Sequence, residues 1–504
     1  MVFHIHHNTK MERYDVIIVG GGISGLYSAW RLSKLTELKI AVLEASPRFG
    51  GRFRTCVMPG NFPADLGAMR FLPKEHHVLA RLIKDLELPV EPMFAAEDLA
   101  KNACKDNFRN KRLNGIEDLI DLYSISDEDL KYFPPADQDI SLETPPNGNV
   151  CEAEVSETGQ LAKDMVQTQY LSLARNVEVM HRGNVYYSTS QTIAFLQLYR
   201  LGNKGDRNEN FCCVSDGMEK LTDALVAELS KSSNVTLATN YFVSRIKEDN
   251  SDFTVYRDQP SNSTGMTAKK VILACSLRGL ELMSWDSPQN RTTQLQALLG
   301  KVFRVPAFKV FLSYNTPWWE QEGLFASSVL TDRTITSVIA FGRKGKKEKY
   351  ATLLATFTLR HTDVFEGLNQ PGYAKFTNTC GNVPAELVPS QLLVDYVQSQ
   401  LAIVFGMAQV PAPVCAVAGD WSSGLIDCAH TRTKVGVDTY KLQWEALQPF
   451  RDTPLFIAGD VFPVCTKTAM YSGWSEAALL SSERILTSHF ELTPYVPSIL
   501  SLTP

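Results

Sequence analysis

The stretch Asp15-Val-Ile-Ile-Val-Gly20-Gly-Gly-Ile-Ser-Gly25-Leu constrains this chain more than any other, because an apolar run enters three spaced glycines and leaves them as a helix. Such a unit seats a dinucleotide pyrophosphate. Gly20 allows the tight turn, Gly22 lets the backbone approach the phosphates, and Gly25 lets the helix pack closely on the strand. The anion then faces the positive end of the helix. A second apolar run, Lys39-Ile-Ala-Val-Leu43, ends at Glu44, about 20 residues further on, where a carboxylate binds ribose hydroxyls. The glycines alone do not choose between NAD and FAD, and the plain alternative is a strand-to-helix turn of any α/β protein.

A chain of 504 residues with 44% hydrophobic content can bury a large core. The net charge of −5 offers no footprint for nucleic acid or for an anionic membrane. Ten cysteines without a C-x-x-C pair point to a reduced, cytoplasmic protein of free thiols. Met1 to Lys10 lacks the apolar core of a signal peptide, and no run approaches a membrane span. His4, His6 and His7 read as a disordered arm, so no metal site is expected.

Next comes Ser46-Pro-Arg48-Phe-Gly-Gly51-Arg52-Phe-Arg54-Thr55. Two glycines admit the cofactor backbone, and Arg52 and Arg54 bring permanently charged planar forks to a dianionic pyrophosphate; a basic surface turn is the alternative. The segment resembles the GGR-x-RT signature of the flavin amine oxidase superfamily, which includes monoamine, polyamine and L-amino-acid oxidases. Further on, Asp65-Leu-Gly67-Ala68-Met69-Arg70 resembles the glycine-x-methionine-arginine motif of the L-amino-acid oxidases. That resemblance implies that Arg70 binds the substrate carboxylate. A structural arginine paired with Asp65 or another acid is the competing reading.

The expected fold class is α/β, α+β overall, with a discontinuous Rossmann-like FAD-binding domain, a mixed-sheet substrate domain and a helical insertion. FAD binding is assigned to residues 12–73, 207–297 and 451–490, the insertion to 74–206 and the substrate domain to 298–450. His76 to Leu88 has helical spacing, whereas 115–160 carries a dozen acids against one lysine and reads as a solvated insertion or lid. A further helix is expected around Ser190 to Tyr199. Beyond the insertion a helix beginning at Ser215 and continuing through Asp223 to Leu229 precedes strands at Val235–Leu237, Tyr241–Lys247, Phe253–Tyr256 and Lys270–Ala274. The substrate domain should hold strands at Ala307–Leu312, Thr336–Phe341, Ala351–Leu359 and Val414–Asp420, with Arg343 to Lys349 as a charged turn. Trp421 to Val437 departs most from known patterns and is where side-chain specificity would be set.

Lys309 sits inside an apolar strand, unfavourably unless something satisfies it. The resemblance implies a lysine holding a water beside flavin N5; a lysine reaching a rim is the alternative. Near the end, Pro454-Leu-Phe-Ile-Ala458-Gly459-Asp460 and Met470-Tyr-Ser-Gly473-Trp474 resemble two more family motifs. The first implies contact with the flavin phosphoribityl chain, although the family's acid is glutamate and Asp460 is one methylene shorter. The second implies a helix N-terminus at the pyrimidine edge and Trp474 as an aromatic wall, or a packed core tryptophan. The full cofactor set implied is Gly20, Gly22, Ser24, Gly25, Glu44, Ala45 and Arg52, then Gly67, Ala68, Met69 and Arg70, then Val243, Gly459, Asp460, Gly473 and Trp474. Arg70, Lys309 and Trp474 are the expected catalytic group. Cys428 and Cys465 do not match the tethering cysteine of monoamine oxidases, so FAD is expected to be non-covalent.

The resulting expectation is oxidative deamination of an L-amino acid, with hydride passing from Cα to N5 and molecular oxygen as acceptor. An amine or polyamine oxidase, and a flavoprotein without turnover, are the other two readings. A homodimer is left open as the assembly.

Overall fold

The computed structural model describes residues 12–94, 106–108, 111–113, 211–249, 252–257, 265–286, 291–300, 302–323, 328–331, 333–341, 349–358, 361–379, 383–429, 444–462 and 475–497. The expected helix at Ser190 to Tyr199, the acidic stretch 115–160 and most of the turn from Arg343 lie outside the described residues.

The larger sheet has eight strands from three separate stretches of chain. Its parallel part contains β1 (Arg13–Val19) and β2 (Ile40–Leu43), with β9 (Val235–Ala238), β12 (Met266–Leu273) and β19 (Leu455–Ile457). The spatial order here is β9-β2-β1-β12, with β19 beyond β12. The apolar residues of β1 and β2 are almost wholly buried, as expected of parallel strands covered on both faces. β12 is long enough to serve two partners on one side: Met266–Ala268 pairs antiparallel with β11 (Asp252–Arg257), and Val271–Leu273 pairs parallel with β19. β10 (Val243–Asp249) and β13 (Ser284–Asp286) complete the sheet beyond β11.

Helix α1 (Ile23–Leu35) is buried from Ile23 to Leu32, in one core cluster with residues of helix Glu219–Leu229 and the terminal helix Ser475–His489. A buried ion pair crosses this interface. Arg31 binds Glu483, which also accepts from the Tyr27 hydroxyl at 2.8 Å and from the Tyr495 amide at 2.9 Å. Helix α2 (His77–Asp85) presents Val78, Leu79, Leu82 and Ile83 to the same core. Its first amides donate to the buried carboxylate of Glu476, at 2.9 Å from Val78 and 2.8 Å from Leu79. Burial pushes that carboxyl up to about 7 even so.

The second sheet is antiparallel, in the order β15 (Ser328–Leu330), β16 (Ser337–Phe341), β17 (Ala351–Thr358), β14 (Val302–Tyr314), β18 (Cys415–Ala429). β18 runs well past the expected end at Asp420, because Ile426–Ala429 pairs with Val302–Val305 of β14. Smaller two-stranded pieces are β3 (Thr55–Met58) with β4 (Phe62–Asp65), β5 (Val90–Pro92) with β8 (Cys212–Val214), and β6 (Asp106–Phe108) with β7 (Lys111–Leu113). Ser215 to Gly217 forms a turn, so the following helix starts at Glu219, four residues later than the sequence pattern implied. Cys56, Cys212, Cys213, Cys275 and Cys415 are free thiols. Among the described residues no helix is long and apolar enough to cross a membrane, and no cluster of metal-ligating side chains occurs.

Candidate functional site

One cavity of about 480 Å³ opens along the C-terminal ends of β1 and β2 and reaches the inner face of the second sheet. This is where ligands bind in doubly wound sheets. At its first end Gly20 has φ 109°, and a Cβ there would stand 2.4 Å from the Ala274 carbonyl oxygen. Gly22 and Ser24, at the start of α1, border the cavity. Gly25 does not. A Cβ on Gly25 would stand 2.0 Å from the Gly20 carbonyl oxygen, so within the glycine turn it serves the close contact of helix on strand that its spacing predicts, and not the cavity wall.

Glu44 and Ala45 border the same end. Each Glu44 carboxylate oxygen is held by a backbone amide, Gly21 at 2.7 Å and Ser46 at 2.8 Å. The acid is therefore aimed before any ribose arrives. Val243, at the start of β10, forms wall together with Tyr241 and Phe242.

The arginines divide their work differently from the expectation. Arg52 borders the cavity and makes a two-pronged ion pair with Asp460, one prong at 2.8 Å. Arg54 does not border it: Glu386 at 3.2 Å and Glu219 at 3.8 Å claim its guanidinium. Arg48, not singled out from the sequence, does border it and staples the loop by donating to the carbonyls of Phe49, Gly51 and Phe53. Gly459 and Asp460 continue the wall, and the terminal helix meets it at Ser475 and Ala478. Gly473 and Trp474 lie outside the described residues.

At the far end, segment 65–70 crosses below the second sheet. Gly67 lies so close to the Arg52 loop that a Cβ would stand 1.7 Å from the Arg52 carbonyl oxygen. Lys309 is 1% exposed. Its ammonium donates to the carbonyls of Gly67 at 2.6 Å and Asp65 at 3.1 Å, approaches the Met69 sulfur at 3.5 Å, and lies 4.9 Å from the Phe357 ring centre. It does not reach a solvent rim. Burial above all, opposed by Asp65 and aided by the Arg70 charge, lowers its pKa to about 7. The Trp421 indole donates to the Leu66 carbonyl at 2.7 Å. Asp65 Oδ1 is bound by the Thr55 hydroxyl at 2.6 Å and the Met218 amide at 3.0 Å. Gly67, Ala68, Met69, Arg70 and Lys309 all border the cavity.

A family model described as flavin-containing amine oxidoreductase matches residues 23–481. The chain belongs to that family. As a flavin amine oxidoreductase it takes FAD, and its cavity suits that cofactor: a glycine turn at a helix N-terminus, a pre-aimed acid at the end of β2 and a guanidinium beside them suit an adenosine pyrophosphate. Among similar proteins, achacin of Lissachatina fulica is 24% identical, covering 94% of this chain and 93% of its own. The L-amino acid oxidase Lm29 of Lachesis muta is 24% identical over 63% of this chain and 61% of its own. The solved structure of a putrescine oxidase bound to putrescine shares the fold, with a TM-score of 0.61 at 17% identity over 95% of this chain and 99% of that one.

Several walls of this flavin site escaped the sequence reading. Cys275, Ser276 and Gly279 line it just after β12. Their signal was positional, since a buried parallel strand ends there. Phe357 stands opposite Lys309 on β17, and strand register, not motif, brings it in.

Proposed function

We propose that this flavin amine oxidoreductase is an L-amino-acid oxidase, converting an L-amino acid to a 2-oxo acid and ammonia. The observation that carries the reading is Arg70, a guanidinium on the cavity wall at the end occupied by Lys309, Phe357 and Trp421. On the cavity wall that charge is placed where a substrate carboxylate could meet it. A two-pronged bond from Arg70 would hold the carboxylate and fix the Cα–H direction. Phe357 and Trp421 would shield the reacting carbon from water. The chemistry FAD supplies when bound is acceptance of a hydride from Cα at N5 and delivery of the electrons to oxygen as hydrogen peroxide, and water then hydrolyses the imino acid product to the 2-oxo acid and ammonia. No general base is needed if the amine arrives neutral. Likeness to L-amino-acid oxidases in the sequence comparison supports this choice of substrate.

The remaining proposals follow the same reading. Non-covalent FAD is held by Gly20, Gly22, Glu44, Arg52, Gly459 and Asp460, in a domain drawn from 12–73, 207–297 and 451–490, and the protein works in the cytoplasm. The test is a peroxide assay across L-amino acids and amines, run beside a flavin spectrum before and after acid precipitation. Peroxide from amines alone would make the protein an amine oxidase. A flavin spectrum with no turnover would make it a binding protein, and flavin left in the acid precipitate would overturn the non-covalent proposal.

A further inference from the structure

The Arg70 guanidinium lies over the ring of Phe211, its central carbon 4.1 Å from the ring centre. Arg70 borders the cavity, whereas Phe211, 1% exposed, is not among the described residues that do. The ring therefore backs the guanidinium and is out of reach of a substrate. Two bridges fix the pair. Phe71 and Cys212, the next residues along each segment, exchange both backbone hydrogen bonds, at 2.8 and 2.9 Å. The Met93 amide donates to the Phe211 carbonyl at 2.8 Å, as β8 pairs with β5.

Arg70 also shares its neighbourhood with a second cation, since its charge acts on the buried Lys309 ammonium. Repulsion between the two would favour a guanidinium swung away from the site. The negative face of an aromatic ring offsets this, and it does so without consuming the in-plane N–H donors that a carboxylate requires.

We propose that Phe211 is a positioning residue for the reaction: its ring holds the plane of the Arg70 guanidinium toward the cavity and so sets the preference for amino acids over amines. This rests on the carboxylate-binding reading of Arg70. Sequence alone could not pair the two residues, because the long segment between them hides their adjacency.

The test replaces Phe211 in the holoenzyme by mono-, di- and trifluorophenylalanine, which keep nearly the same shape while stepwise weakening the ring's negative face. Two substrate pairs are compared, L-leucine with 3-methylbutylamine and L-lysine with 1,5-diaminopentane, each differing only in the carboxylate. The product 4-methyl-2-oxopentanoate, titrated into the oxidised enzyme and followed by the flavin spectrum, gives a binding readout independent of turnover. With each fluorine the amino-acid-to-amine ratio of kcat/KM should fall, and the dissociation constant of the oxo acid should rise, toward a limit of about two- to thirtyfold. Phe211→Leu should reach that limit at unchanged flavin content. A ratio and a dissociation constant both flat across the fluorinated series would overturn the proposal, because a merely structural ring would behave that way. Arg70→Ala separates the two levels: if it abolishes the discrimination while the series stays flat, only the role of Phe211 is lost, and if it leaves the discrimination intact, the Arg70 reading fails and takes this inference with it.

Discussion

Lys309 donates from Nζ to the carbonyl oxygen of Gly67 at 2.6 Å, joining a central strand of the second sheet to the segment that ends in Arg70. A second donation reaches Asp65 on the same segment. The strand lysine and the loop arginine are thus parts of one arrangement, and substitutions at either should be felt at the other.

Lys309→Met is expected to retain FAD and slow turnover, since it strips two buried carbonyls of their donor, at about 1–3 kcal/mol per orphaned group. Stopped-flow traces of the reductive and oxidative halves show which step suffers; wild-type rates in both would leave Lys309 a purely structural role. A pH signature accompanies this. The folded pKa is lowered to about 7 by burial, so between there and the ordinary lysine value the unfolded chain holds a proton that the folded chain has released. The group's contribution to stability is therefore complete above the unfolded pKa and is lost as pH falls toward 7. The melting temperature of Lys309→Met minus that of wild type should be larger at pH 6 than at pH 10.

Glu44→Lys should purify without flavin. The substitution deprives the Gly21 and Ser46 amides of their acceptor, and it sets bulk and the wrong polarity against the ribose. The ratio of visible to ultraviolet absorbance reads the occupancy, and full flavin content would remove Glu44 from the ribose role.

Arg70→Ala should lower kcat/KM for amino acids by about thirtyfold to several thousandfold. The basis is the loss of about 2–5 kcal/mol when one partner of a desolvated charge pair is removed, at roughly 1.4 kcal/mol per tenfold. Arg70→Lys should recover only part, because an ammonium cannot form the planar fork. The matching amine should lose little. Equal losses on amine and amino acid, with FAD still bound, would return Arg70 to a structural role.

Away from the cavity, Glu483→Leu leaves the buried Arg31 guanidinium without its carboxylate. Breaking one side of such a pair costs about 3–5 kcal/mol. Replacing both, as Arg31→Met with Glu483→Leu, should regain much of that. Urea unfolding of the single and double variants checks it, and a single variant as stable as wild type would show the pair to be idle.

The parallel sheet was legible because Val16–Val19 of β1, Ile40–Leu43 of β2 and Val271–Leu273 of β12 are continuous apolar runs, and the cofactor class because glycines and an acid must fall at set distances along one local unit. What escaped are relationships made across the fold. Nothing in the neighbourhood of Arg54 announces that Glu219 and Glu386 will claim it, and nothing near Asp460 announces Arg52. The full length of β18 was hidden for a similar reason: its polar second half lacks strand patterning and is held by the register of β14. Phe211 reads as an ordinary aromatic, and Trp421 only as the start of a stretch assigned to side-chain specificity, until segment 65–71 is folded between them.

The union of Arg52 with Asp460, and of β12 with β19, also bears on the order in which the protein is made. A ribosome that has delivered the first 450 residues has produced the glycine turn, the acid and the lysine, but neither the strand that pairs with Val271–Leu273 nor the helix end that closes the wall. The nascent chain must wait for residues 455–478 before the seat is whole, so products terminated ahead of Leu455 should emerge colourless.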